Sequence, residues 1–220
     1  MFELWKDDQS RVRLDENSQV SALLGSYPAD RTEWSSISNG TVPLFQAQIA
    51  VHNSTLFIML GTTDGQAISI TSMVQGSGVK LVNMVATGRA NVTLYAYGPR
   101  NVTASTSGLQ FLDINGNVTF DSQAKWLRLA GRVKSPAQGV EYPTPSGVPT
   151  IAVGLSQQGI WLVPTQVGQN RSFLIMSQGI RVATNQVSIQ PLARQGPLAT
   201  VPGTSPPPPG DIFFADVTRY

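Results

Sequence analysis

The sequence predicts an all-β protein, and three observations support that prediction. Apolar and polar residues alternate with a period of two in several short segments, as in residues 45–51, where the odd positions are apolar. Turn-forming residues separate such segments at intervals of about 8 to 12 residues, a spacing typical of β-sandwiches and barrels. No segment shows a convincing helical period. We therefore expect a sandwich-like fold built from short strands.

The predicted strands recur along both halves of the chain. Alternation of apolar and polar positions is the main pattern among them, and it is expected to bury one face of a strand and expose the other. They are residues 45–51, 67–71 and 92–96 in the first half and residues 159–163, 172–176, 179–183 and 186–190 in the second.

An internal similarity relates the beginning of the chain to its middle. With Asp15 aligned on Asp121, a shift of 106 (121 − 15), five pairs are identical without a gap: Asp7/Asp113, Val12/Val118, Asp15/Asp121, Leu23/Leu129 and Gly25/Gly131. A weaker similarity relates residues 91–97 to residues 185–191. The sequence therefore predicts two tandem, related β-sandwich-like domains, residues 1–104 and 105–200, followed by a Pro-rich C-terminal arm, residues 201–220.

Each copy of the repeat is expected to open with a β-hairpin. In the second copy, Asn115 and Gly116 predict a tight type I′ turn, and residues 8–10 form the corresponding turn in the first. Carboxylates at the end of the returning strand are expected to cap a second turn. The repeat turn positions are Asp7, Asp15, Asp113, Asn115, Gly116 and Asp121.

The C-terminal arm has a different composition from the rest of the chain. Its four prolines, Pro206, Pro207, Pro208 and Pro209, predict a stiff polyproline II spacer. The segment after the spacer contains Ile212, Phe213 and Phe214, ends at Tyr220, and is too apolar to remain in water as a free tail. We expect an assembly arm that adds a strand to a neighbouring chain; the alternative is that it folds back onto its own second domain.

Composition narrows the possible functions. Charged residues make up only 13% of the chain, well below the usual quarter, and there is no cysteine to form a disulfide or a thiolate metal site. The net charge of +2 and the lack of an Arg-rich run predict no nucleic-acid partner. Residues 56–60, the longest apolar run, are too short to insert into a membrane. We also expect no secretory leader, because the first residues lack a basic start and an apolar stretch.

Few residues are candidates for catalysis or metal binding. His52 is the only histidine, and no nucleophile motif accompanies it. Asp113, Asn115 and Asn117 have the spacing of a calcium loop, but the first copy lacks that pattern, so a turn is expected. Acidic residues are absent from residues 65–112 and 142–210, which leaves few pairs for glycoside cleavage. We therefore expect no catalytic residue, no metal and no cofactor; the aromatic candidates for stacking on sugars are Trp34, Trp126 and Trp161.

Residues 109–131 resemble a recurring element of small tail-tip, or minor tail, proteins of long-tailed bacteriophages. In that element an aromatic strand and a short turn lead to the pattern V-x-F-D-S and then to an L-R-L-x-G strand. The matching positions here are Val118, Phe120, Asp121, Ser122, Leu127, Arg128, Leu129 and Gly131. The first copy keeps Val12, Asp15, Leu23 and Gly25 but has Glu16 in place of the serine.

The resemblance implies a non-enzymatic structural component of a phage tail tip or baseplate. Such a protein is assembled in the host cytoplasm, belongs to the virion, and holds other phage tail proteins together, with a homo-oligomer expected in the particle. One alternative is a receptor-binding module of the tail that recognises a host surface glycan or pilus. The other is a polysaccharide-cleaving enzyme.

Overall fold

The fold is known from a computed structural model. It describes residues 2–5, 11–14, 21–37, 43–99, 106–112, 115–116, 118–157, 160–167, 170–195 and 210–218. The strands are β1 (Phe2–Trp5), β2 (Arg11–Leu14), β3 (Ala22–Ala29), β4 (Ser35–Ser36), β5 (Phe45–His52), β6 (Phe57–Leu60), β7 (Ala67–Gln75), β8 (Val79–Ala86), β9 (Val92–Gly98), β10 (Gln110–Leu112), β11 (Val118–Asp121), β12 (Leu129–Val133), β13 (Glu141–Pro143), β14 (Ile151–Leu155), β15 (Ile160–Val167), β16 (Asn170–Ala183), β17 (Gln186–Gln195) and β18 (Ile212–Asp216). Apart from one short 3-10 turn, Arg31–Glu33, every regular element of the described residues is a strand, which confirms the predicted all-β fold.

Two antiparallel sheets form the body of the protein. The six-stranded sheet has the order β12-β18-β14-β6-β9-β3, and the eight-stranded sheet has the order β13-β17-β16-β7-β8-β5-β4, with β15 paired to β16 as its eighth strand. Two separate hairpins, β1–β2 and β10–β11, complete the described strands. Buried residues from both sheets, among them Leu60, Leu94, Val82 and Ile189, form one large hydrophobic cluster between them. The sandwich-like architecture is thus built around a shared core.

The central strands of the six-stranded sheet are buried on both of their faces. Leu60 on β6 packs into the core between the sheets, whereas its neighbour Met59 points to the opposite face and packs with Tyr97 and Ala152 in a second cluster. Strands buried on both faces are apolar at successive positions instead of alternating. This explains why alternation alone did not predict β6, whose sequence is Phe-Ile-Met-Leu.

The two halves of the chain contribute strands in the same order. In the six-stranded sheet, β3-β9-β6 from the first half matches β12-β18-β14 from the second; in the eight-stranded sheet, β5-β8-β7 matches β13-β17-β16. The halves meet where β6 pairs with β14, at Leu60 and Val153, and where β7 pairs with β16, at Ile68 and Ile180. When each sheet is followed outward from its central junction, three strands of one half therefore occur in the same order as three strands of the other half.

The repeated leucine and glycine pairs mark equivalent bulges in the two halves. The register of β3 against β9 shifts between Leu23 and Gly25, and the register of β12 against β18 shifts between Leu129 and Gly131. These are the residues that the shift of 106 aligns. A bulge strongly constrains the local backbone, so it is a position at which two copies can keep the same residues.

The predicted division into tandem domains at residues 104 and 105 is not confirmed. Strands from both sides of that boundary pair within both sheets, and the large core cluster contains residues from both sides. The similarity between residues 91–97 and 185–191 was also misleading, because β9 occupies the place of β18 in the strand order and not that of β17. Local alternation does not specify which strand is the partner of which.

Two further local predictions were wrong. Residues 172–176 and 179–183 belong to one continuous strand, β16. Gly179 lies inside this strand and not in a turn, and a Cβ at this position would lie 2.0 Å from Leu192 Cδ1, so the leucine side chain would have to move. The turn near Asn115 is not of type I′: five residues separate the paired residues Leu112 and Val118, and Gly116 has a φ of +82° whereas Asn115 does not have a positive φ.

Candidate functional site

The C-terminal strand is a central strand of its own chain's sheet. β18 pairs with β14 on one side and with β12 on the other, and its residues Ile212 and Phe214 are buried in the core. The expectation of an arm that joins a neighbouring chain is therefore corrected: in this structure the segment folds back, because two strands of the same chain provide backbone partners. Pro206, Pro207, Pro208, Pro209 and Tyr220 lie outside the described residues.

Asp211 fixes the entry to this last strand. Its carboxylate accepts hydrogen bonds from Arg132 Nε at 2.8 Å and from the Ser135 backbone N–H at 2.9 Å, and its own N–H donates to Ser156 Oγ at 2.9 Å. The Ser135 N–H and the Arg132 guanidinium hold the pKa of Asp211 below its usual value. Arg132 also lies over the Phe213 ring, 5.4 Å from its centroid. These contacts give Asp211 a structural role.

Asp121 lies at the end of β11, at the corner from which the chain leads to β12. Its buried carboxylate accepts a hydrogen bond from the Gln123 N–H at 2.8 Å, the geometry of a turn cap, and another from Gln110 Nε2 at 3.0 Å. Its backbone carbonyl accepts a hydrogen bond from Trp126 Nε1 at 2.5 Å. Trp126 in turn forms an antiparallel bridge with Ala22 at the start of β3, so the segment that precedes β12 pairs with β3.

Asn115 and Gly116 are exposed in the turn of the β10–β11 hairpin. The other repeat turn positions, Asp7, Asp15 and Asp113, lie outside the described residues. Among the described repeat positions, Asp121 caps a turn, whereas Asn115 and Gly116 belong to a different turn.

His52 and Trp34 are the sequence candidates for chemistry whose side chains the structure describes away from the Asp121 corner. His52 is exposed at the end of β5, where its Nδ1 accepts a hydrogen bond from the Ser54 N–H at 3.2 Å. Trp34 is buried and donates from Nε1 to the Ala90 carbonyl at 2.9 Å, so it offers no ring face to a sugar; the side chain of Trp161 lies outside the described part. Across the described residues, no group of three or more His, Cys, Asp or Glu residues is arranged to hold a metal ion.

Asp64 joins the β6–β7 connection to the start of β9. It accepts hydrogen bonds from the Asn91 N–H at 2.9 Å and from Arg31 Nη2 at 3.1 Å. The Asn91 N–H and the Arg31 guanidinium lower the pKa of this carboxyl below its ordinary value of 3.8. Asp64 has a φ of +50°, a left-handed conformation that aspartate tolerates better than most residues. The interactions of this carboxylate are structural.

A shallow groove of about 570 Å³ crosses the eight-stranded sheet at β4, β5, β8 and β7. Its central side chains are hydrogen-bonded in a row: Gln48 Nε2 donates to Asn83 Oδ1 at 2.8 Å, and Asn83 Nδ2 donates to Ser72 Oγ at 2.9 Å. Glu33 is the only ionisable residue of the lining. The groove is therefore polar with almost no charge.

A second concave surface, a cleft of about 580 Å³, lies beneath the connection between β13 and β14. Its walls come from that connection, from the ends of β6 and β16 with the residues that follow them, and from Thr93 and Tyr95 on β9. None of these segments carries a recognisable sequence motif, so the cleft could not be predicted from the sequence.

The hairpin formed by β7 and β8 is apolar at its end. Met73, Val74 and Val79 are 38%, 51% and 36% exposed. β7 pairs with β16 only at Ala67 and Ile68 among the described residues, so its edge is unpaired toward the hairpin end in this part of the chain. An unpaired strand edge beside exposed apolar side chains is a surface that can accept another strand.

Comparisons with known proteins give no relative for this chain. No family model matches it, and no curated protein and no solved structure matches it either. In the described residues, no helix is long and apolar enough to cross a membrane. The surfaces described above and the resemblance of residues 109–131 to phage tail-tip proteins are therefore the features that bear on function.

Proposed function

We propose that this chain is a structural component of a bacteriophage tail tip or baseplate and that it holds neighbouring tail proteins together. The β7–β8 hairpin carries the proposal, because Met73, Val74 and Val79 are exposed beside an open strand edge. Apolar groups of this kind gain free energy when a neighbour covers them, and the open edge supplies main-chain hydrogen bonds for the same contact. The resemblance of residues 109–131 to tail-tip proteins supports a phage tail as the particle.

The proposal assigns no catalytic role, no cofactor, no nucleic-acid partner and no membrane insertion to the chain. Glycoside cleavage needs two carboxylates that face one substrate. The groove contains one carboxylate, Glu33, and the cleft contains none. Asp64, Asp121 and Asp211 are each held in structural hydrogen bonds.

Charge placed on the hairpin tests the proposal. The double variant Val74→Lys, Val79→Glu should fold with a Tm close to that of the unaltered protein, since both side chains are exposed. It should fail to enter particles when it replaces the unaltered protein in the phage that encodes it. Val140→Lys is the matched control, because Val140 is 43% exposed and lies outside both the β7–β8 hairpin and residues 109–131. Normal incorporation of a folded hairpin variant would contradict the proposal.

A receptor-binding module of the tail is the second candidate function. The observation that favours it is the presence of two concave surfaces with almost no charge, of a size that suits small ligands. Retention of purified host surface glycan by the isolated protein would support this function. If the protein retained pilus protein but no glycan, the binding surface would be one other than these two concave surfaces.

A further inference from the structure

We infer that the cleft beneath the β13–β14 connection binds a neutral saccharide of one or two rings. The inference deepens the second candidate function, since it names the site and the chemical class of ligand. It stands apart from the structural role proposed for the β7–β8 hairpin.

The cleft exists because the two halves of the chain differ in one connection. The seven residues 144–150 join β13 to β14, whereas only the four residues 53–56 join β5 to β6 at the corresponding place in the first half. The longer connection contains Pro145 and Pro149 and follows Pro143, which restricts its backbone. It is fastened to the β16–β17 turn by the hydrogen bond from the Thr144 N–H to the Asn185 carbonyl, 3.0 Å long. A restrained wall of this kind costs little entropy when a ligand binds.

The lining of the cleft excludes charged ligands. It contains no Asp, Glu, Lys, Arg or His, so a ligand charge entering it would lose water without gaining a partner charge. The polar groups are hydroxyls and one side-chain amide, from Thr62, Thr93, Tyr95, Thr144, Ser146, Thr150, Thr184 and Asn185. Hydroxyl groups both donate and accept hydrogen bonds, which is what the hydroxyls of a sugar require.

Tyr95 is the central residue of the site. Its partly buried side chain lines the cleft, and Gly61 leaves space at the edge of its ring, where a Cβ would lie 3.5 Å from the ring. Within the described part of the chain, the side chains of Tyr95, Thr93 and Asn185 have no hydrogen-bond partner in the protein. Burial raises the pKa of the Tyr95 hydroxyl, so the group stays protonated at neutral pH and remains a donor.

A saccharide fits this combination better than an extended peptide does. A pyranose ring has an apolar face that can lie against a tyrosine or proline ring, and its edge carries hydroxyls in several directions. An extended peptide is held through a row of backbone hydrogen bonds, usually along an open strand edge. The groove on the eight-stranded sheet is the weaker site, because its lining includes no aromatic residue and its central amides already bond one another.

The test measures binding of named sugars to the full chain by saturation-transfer NMR and isothermal titration calorimetry. The probes are lactose, maltose, cellobiose and N,N′-diacetylchitobiose, with 3′-sialyllactose as the charged counterpart of lactose and the peptide GTSPPPPG as a Pro-rich competitor. The variants are Tyr95→Phe, Thr93→Val and their combination. Gln48→Ala, which alters the groove instead, is the matched control.

At least one neutral disaccharide should bind. Tyr95→Phe should weaken that binding by about tenfold, the loss expected when a hydrogen bond to a buried group is removed, while Gln48→Ala should leave it unchanged. The inference is overturned if no neutral disaccharide binds, or if the combined variant binds as well as the unaltered chain. It is also overturned if sialyllactose binds more tightly than lactose, or if the peptide binds more tightly than the sugar and displaces it. Such a result would leave the hairpin's role in particle assembly intact, since incorporation does not depend on Tyr95.

Discussion

Phe214 of β18 lies directly opposite Val153 of β14, and both side chains are buried in the core between the two sheets. The pair links the last strand of the chain to the junction between the two halves, because Val153 is also the residue that pairs with Leu60 of β6. A segment that was expected to add a strand to a neighbouring chain is thereby part of the core of its own chain.

Removal of the last strand should therefore unfold the protein. A chain that ends at Thr204 loses β18 with the buried residues Ile212, Phe214 and Val217, and it leaves β12 and β14 without their shared partner. We expect the truncated chain to lack a cooperative thermal transition and to bind a hydrophobic dye. A truncated chain that melts like the full chain, measured by circular dichroism, would show that β18 is dispensable for folding.

The corner at Asp121 should depend on an acceptor oxygen more than on a charge. Asp121→Ala removes the acceptor for the Gln123 N–H and for Gln110 Nε2, and should lower the free energy of unfolding by about 1–3 kcal/mol. Asp121→Asn keeps one carbonyl oxygen for the Gln123 N–H and should cost less. Urea titration of both variants measures the difference, and equal losses would mean that the Gln123 hydrogen bond is not the stabilising one.

Stability should fall on acidification below about pH 4. Asp64 and Asp211 have pKa values in the folded state below their ordinary value of 3.8. A carboxyl with a depressed folded pKa contributes stability that is present above its unfolded pKa and is lost as the pH falls through the folded pKa. Urea midpoints at about pH 6 and about pH 3 should differ less in the variant Asp64→Asn, Asp211→Asn than in the unaltered protein. The same difference in both proteins would assign the acid sensitivity to other groups.

Periodicity predicted the strands with one buried and one exposed face and failed for the others. β5 alternates between buried and exposed residues along its whole length and was predicted. β6 is apolar at every position because both faces are buried, so alternation could not find it. Identity at a shift of 106 located the equivalent bulges at Gly25 and Gly131, since bulges constrain individual residues.

The interlocking of the two halves could not be predicted in the same way. Pairing of β6 with β14 and of β7 with β16 depends on shape and burial across the whole sandwich, and neither junction has a local pattern. The cleft could not be predicted from the sequence for a related reason. Its lining comes from segments that are far apart in sequence, such as those of Tyr95 and Asn185, and neither segment has a sequence pattern that marks a binding site.

The location of the chain on intact particles tests the proposed function most directly. An antibody raised against the purified protein, gold-labelled and applied to the phage particles to which we assign it, should mark the distal end of the tail. Quantitative mass spectrometry of purified particles should give the same copy number in every preparation. Label along the tail tube or on the head, or absence of the chain from purified particles, would contradict the proposal that it is a structural part of the tail tip.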